Sequence, residues 1–135
     1  MQKLVKWSAF YTVLGLLSGL FYRTVVLVTG YTEETQLNTL HTHLLVLGTF
    51  FFLIVLLLEA QFHLSQHPKF KMFMLVYNGG VLLTTVMMLV RGLVTVYQLG
   101  DSHAIAGIAG IGHIVLTTAF GLFFVILFDS VKHFK

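Results

Sequence analysis

Four stretches of the chain, residues 4–29, 37–62, 70–98 and 105–131, are apolar over more than the roughly 20 residues a helix needs to cross a bilayer. In a chain of 135 residues they leave room for short connections and nothing resembling a separate soluble domain. Hydrophobic residues make up 57% of the sequence and charged residues 10%, and the mean hydropathy of +0.91 lies far outside the range of soluble domains. Lipid is the expected solvent. The expected fold is therefore all-α, an integral membrane four-helix bundle formed by residues 1–135 as a single domain. The first stretch is too long for a signal-peptide core and has no small-residue cleavage site, so it is expected to remain as a span.

Polar, turn-forming segments separate the stretches: residues 30–35, residues 63–69 with Pro68, the sole proline, and residues 100–103. Lys3, Lys6, Lys69, Lys71, Lys132 and Lys135 fall on one side of a four-span topology, and Glu33, Glu34 and Asp101 on the other. The positive-inside rule then puts both termini and the middle loop in the cytoplasm. The same pattern explains the net charge of +3 as membrane orientation and argues against nucleic acid as a partner. The absence of cysteine excludes disulfides, thiolate metal sites, iron–sulfur clusters and covalent c-type haem attachment.

Ionisable residues inside a span are costly and mark functional hypotheses. Five fall at similar depth: Arg23, His41, His43, Arg91 and His113, each roughly 6 to 12 Å below the outer boundary at about 1.5 Å per residue. Taken singly, the first two histidines could cap a helix near the interface and the arginines could snorkel to the headgroups. His113, on a helix of Gly, Ile, Ala, Val and Phe, needs a hydrogen-bond partner or a ligand. Together the five point to a site. Imidazoles in a membrane bundle suit haem iron, copper, zinc or a proton relay. Haem fits best, because it needs one or two axial histidines, an apolar slot and cationic partners for two propionates, which Arg23 and Arg91 would supply. His41 and His43 are about 200° apart around the helix and face different directions. They cannot hold one metal from the same face. A second axial ligand comes from His113 or from a neighbouring protomer. Gly15 with Gly19, and Gly107, Gly110 and Gly112, allow close helix packing or the approach of a flat ligand.

The segment His41-Thr42-His43-Leu44-Leu45-Val46-Leu47-Gly48 and its apolar continuation to Glu59 resemble a family of small, uncharacterised four-helix bacterial membrane proteins. So do Phe21-Tyr22-Arg23, Tyr77-Asn78-Gly79, the run from Met87 to Gly92 and the run from Gly107 to His113. The resemblance covers nearly the whole chain. It implies a distant relation to the haem-binding catalytic subunit of the haem-copper oxidases, in which a His-x-His pair ligates two haems on opposite sides of one helix, as His41 and His43 would. The chain lacks the oxidase His-Pro-Glu-Val-Tyr segment and the histidine cluster for copper. With four helices against the oxidase's twelve, a homo-oligomer, dimer or trimer, is implied.

The expected function is that of a b-type haem protein of the bacterial cytoplasmic (inner) membrane, binding haem b (iron protoporphyrin IX). His43 and His113 are the preferred iron ligands, and His41 serves a second haem or supports the first. The expected role is electron transfer, with a redox protein or quinone as partner, or sensing and handling of oxygen or nitric oxide, ahead of catalytic turnover as an oxidoreductase. Two alternatives stand beside it: a proton- or anion-coupled transporter or channel without cofactor, and a structural or assembly subunit. Of the remaining polar residues, Glu59 and Asp129 are expected to pair with lysine or interfacial water. His63, His67, His103 and His133 are expected to be solvated. Asn78, Thr84 and Thr85 are expected to hydrogen-bond between helices or to their own backbone.

Overall fold

The computed structural model describes residues 1–100 and 103–132, the side chain of His103 excepted. Asp101, His133, Lys135 and that side chain therefore lie outside the described residues. Helix 1 is Gln2–Thr29, helix 2 Gln36–Phe62, helix 3 Phe70–Val96 and helix 4 His103–Lys132, and all four are long and apolar enough to cross a membrane. Helix 1 stops at Gly30, whose left-handed backbone returns its N–H to the Val26 carbonyl. Helix 3 ends two residues before its expected limit, because the chain turns at Tyr97 and Gln98 adopts a positive φ of 52°.

Helix 1 packs along helix 2, helix 4 along helix 3, and helices 2 and 3 meet in the middle. Glycines set the separations. A Cβ at Gly48 would lie 2.3 Å from Tyr11, one at Gly92 2.6 Å from Leu37, and one at Gly112 2.6 Å from the Thr84 hydroxyl. By contrast Gly107 and Gly110 have nothing within 4 Å of such a Cβ, so packing accounts for Gly112 alone in that run.

Helix 2 is not wound uniformly. Leu44–Phe50 forms a π-helical segment, with the Phe51 N–H reaching the Val46 carbonyl. The wider winding leaves carbonyls for neighbouring helices to bind. The Tyr77 hydroxyl donates to the Leu47 carbonyl at 2.8 Å, and the Ser8 hydroxyl donates to the Thr49 carbonyl at 3.2 Å. Replacing Tyr77 by Phe removes the first of these donors from a fully buried position and should cost about 1 to 2 kcal/mol, measured as thermal unfolding in detergent.

The half of the bundle nearer the termini, which carries the lysines, is an aromatic core. Tyr11, Phe52, Phe73 and Tyr77 are completely buried. Phe51 stacks on Tyr77 with ring centroids 4.3 Å apart and meets Phe120 and Phe123 edge-on. Among the described residues, the buried polar side chains of this half are hydrogen-bonded. The Tyr11 hydroxyl donates to Asn78, whose amide donates to the Met74 carbonyl. The buried Glu59 carboxylate accepts the Ser65 backbone N–H at 2.7 Å and the Ser65 hydroxyl. Asp129 lies 3.8 Å from the Lys132 amine, as expected of it. His67, expected to be solvated, instead keeps only 15% of its side chain exposed and sits 3.5 Å from Asp129, because the turn Leu64–Gln66 folds the middle loop onto the end of helix 4.

Candidate functional site

The other half of the bundle, toward the acidic 30–35 connection, holds the polar layer. Here Thr35 caps helix 2 through the Leu37 N–H and donates its hydroxyl to the Gly92 carbonyl at 3.1 Å. That cap ties the start of helix 2 to the end of helix 3. One turn and two turns further along helix 2, Thr39 and His43 share a face with Gln36.

Those three residues form one wall of a cavity of about 260 Å³. Thr84, Met88 and Arg91, spaced at i, i+4 and i+7 on helix 3, form its floor, and Ala109 and His113 of helix 4 its other wall. Three of the five residues of the polar layer, His43, Arg91 and His113, thus share one cavity. Among the described residues no carboxylate lines it.

The two histidines are held alike. His43 Nδ1 lies 3.0 Å from the Thr39 carbonyl, and His113 Nδ1 lies 3.1 Å from the Ala109 carbonyl. A carbonyl only accepts, so each Nδ1 carries the hydrogen, and Nε2 of the neutral ring keeps its lone pair. Fixing the tautomer by a hydrogen bond at the far nitrogen is how proteins prepare a histidine for a metal. Arg91 is half-buried and makes no ion pair among the described residues.

His41 and Arg23 are not in this cavity. The His41 ring turns toward helix 1, where its Cγ is 3.8 Å from where a Cβ of Gly19 would be, and its Nδ1 is buried without a hydrogen-bond partner among the described residues. His41 and His43 thus face different neighbours, as their angular separation requires. Arg23, one turn beyond Gly19, is exposed on the surface of helix 1. A second, largely apolar groove of about 300 Å³ separates helix 1 from helix 3, walled by Leu17 and Phe21 on one side and Val86 and Leu89 on the other.

Thr84 departs from expectation. Its neighbours Thr85, Thr95, Thr117 and Thr118 each return the hydroxyl to a carbonyl one turn back. Thr84 is 2% exposed, and its hydroxyl has no partner among the described residues. It lies under Gly112, beside His113. Residue type alone gave no reason to separate it from Thr85, but its i, i+7 spacing from Arg91 could have placed it on the same face.

Residues 1–130 match the family described as "Protein of unknown function (DUF2871)", and the chain belongs to that family. Neither the curated proteins nor the solved structures contain a match.

Proposed function

We propose that this DUF2871 protein is a b-type haem protein of the bacterial cytoplasmic membrane, with both termini in the cytoplasm, in which His43 and His113 hold the iron of haem b and Arg91 faces a propionate. The observation that carries this reading is the pairing of two imidazoles, each with Nδ1 hydrogen-bonded to its own helix and Nε2 left as a lone pair, in one cavity with an arginine and, among the described residues, no acid. Among the described residues no three histidine or acidic side chains converge on a point. Two imidazoles suffice for haem, whereas a zinc or copper ion would want a third protein ligand. The donor set therefore fits the cofactor.

Bound haem would supply one-electron redox chemistry with two histidine ligands, or binding of a gas such as oxygen or nitric oxide with one. The chain's own part is to fix both ring orientations, to balance propionate charge with Arg91, and to keep the apolar half of the bundle dry around its aromatic core. His41, aimed at helix 1, supports a distant relation to the His-x-His helix of the haem-copper oxidases and serves a second haem or braces helix 1. A homo-oligomer, dimer or trimer, with a redox protein or quinone as electron partner, completes this reading. The aromatic core weighs against a through-channel, since it closes the path below Thr84.

The test is a visible spectrum of protein purified from haem-replete cells. The expected result is a Soret band with sharp α and β bands after dithionite reduction. A colourless protein that also fails to take up added haem would return the polar layer to transport or assembly.

A further inference from the structure

The cavity that holds His43 and His113 does not end at Arg91. Toward the acidic end it shares Gln36 and Thr39 with an adjoining cavity of about 340 Å³, whose rim is formed by Glu34, Thr35 and Thr95. The two cavities therefore adjoin at Gln36 and Thr39, and polar side chains line them from the 30–35 connection down to Thr84. Below Thr84 the route stops. A Cβ at Gly80 would already be 3.0 Å from Leu116, and the buried Val81 and Tyr77 follow.

We infer that helices 2, 3 and 4 line a hydrated inlet, entered from the acidic end, that brings small hydrogen-bonding solutes, anions in preference to cations, from the aqueous phase to Thr84. The Thr84 side chain lines the blind end, and its hydroxyl, closed off beneath Gly112 and without a partner among the described residues, is the group that a solute displacing that contact reaches. A buried hydroxyl in apolar surroundings takes a partner wherever one can reach it, and this one turns away from the carbonyl that its neighbours use. Space is ample, since a water occupies about 30 Å³ of the liquid. Arg91 beside the route, with no carboxylate among the described residues lining the inner cavity, sets the charge preference, because a fixed charge at a low-dielectric wall raises the local concentration of its counter-ion. Glu34 at the rim acts only at the mouth, where solvent screens it. The inference does not rest on the cofactor reading, because the route and the orphan hydroxyl are properties of the polypeptide.

The chain contains no cysteine, so a single introduced thiol reports its own accessibility. In membrane vesicles holding the full-length, haem-depleted protein, Thr84→Cys is treated with membrane-impermeant methanethiosulfonates, one bearing a sulfonate and one a trimethylammonium group. Glu33→Cys identifies the side on which the acidic end lies. Thr84→Cys is expected to react from that side only, at least a hundredfold faster than Val86→Cys, which borders the apolar groove. The rate ratio of sulfonate to ammonium reagent is expected to fall about fivefold to tenfold when Arg91→Gln is added. Ala109→Cys, lining the same cavity from helix 4, repeats the measurement should Thr84→Cys not fold. An unreactive thiol at both positions beside a reactive Glu33→Cys overturns the inlet, and a rate ratio unchanged by Arg91→Gln overturns its charge preference. A protein that takes up no added haem yet reacts at Thr84→Cys would sink the haem reading and leave the inlet standing.

Discussion

His43→Ala and His113→Ala are each expected to abolish the sharp reduced α band and to lower haem retention through purification by more than tenfold, while His41→Ala leaves that band in place. The reason is the shared cavity. An axial imidazole is the iron's bond to the protein, and each ring is pinned by a single carbonyl one turn back, so no other histidine can swing in to replace it. His41 points to helix 1 and cannot compensate. Added imidazole separates ligation from folding, since it should restore a low-spin band in the alanine variants if the lost side chain was a ligand. Intact bands in both alanine variants would remove these residues from the site.

The second large effect is structural. Gly48→Ala places a methyl group 2.3 Å from both Cβ and Cγ of Tyr11. Those atoms are the root of a fully buried side chain that is stacked on Phe52 and hydrogen-bonded to Asn78, so helix 1 must move bodily. The expected cost is about 3 kcal/mol, read as a fall of roughly 10 °C in the thermal midpoint in detergent. Gly107→Ala is the matched control. Nothing lies within 4 Å of its new methyl, and the better helix propensity of alanine should leave stability unchanged or raised by up to about 1 kcal/mol. A Gly48→Ala midpoint equal to that of Gly107→Ala would mean that helix 1 is not seated where the structure puts it.

Hydropathy alone located the four helices to within two residues of their observed ends, because burial in lipid demands long apolar runs whatever the tertiary arrangement. It missed the turn at Tyr97 and Gln98, where the residues remain compatible with a helix and only the backbone reverses. Nor could it show the π-helical segment. No proline marks Leu44–Phe50, and its winding depends on donors from Ser8 and Tyr77, remote in sequence.

The candidate site was legible in part for a related reason. Depth along each helix follows from counting residues, and the similar depth it gave His43, Arg91 and His113 agrees with their sharing one cavity. Azimuth requires knowing which helix lies beside which. For His41 and His43 the angle between them sufficed to send them apart. For Arg23 nothing in the sequence tied its face to that of the other residues, and it proves to be exposed. Thr84 escaped because what distinguishes it is a missing hydrogen bond, visible only once every neighbouring carbonyl has been placed.

The π-helical segment carries one further consequence. A helix wound at 3.6 residues per turn has a fixed phase between any two of its side chains. Here seven residues of looser winding stand between His43 above and Phe52 below, and they set the rotational offset between the half that faces the polar cavity and the half that faces the aromatic core. Deleting a single residue from Leu44–Phe50 would leave every ligand and every core residue chemically present, yet turn one half against the other by about 100°. The two halves of helix 2 are therefore coupled by length as strictly as by composition.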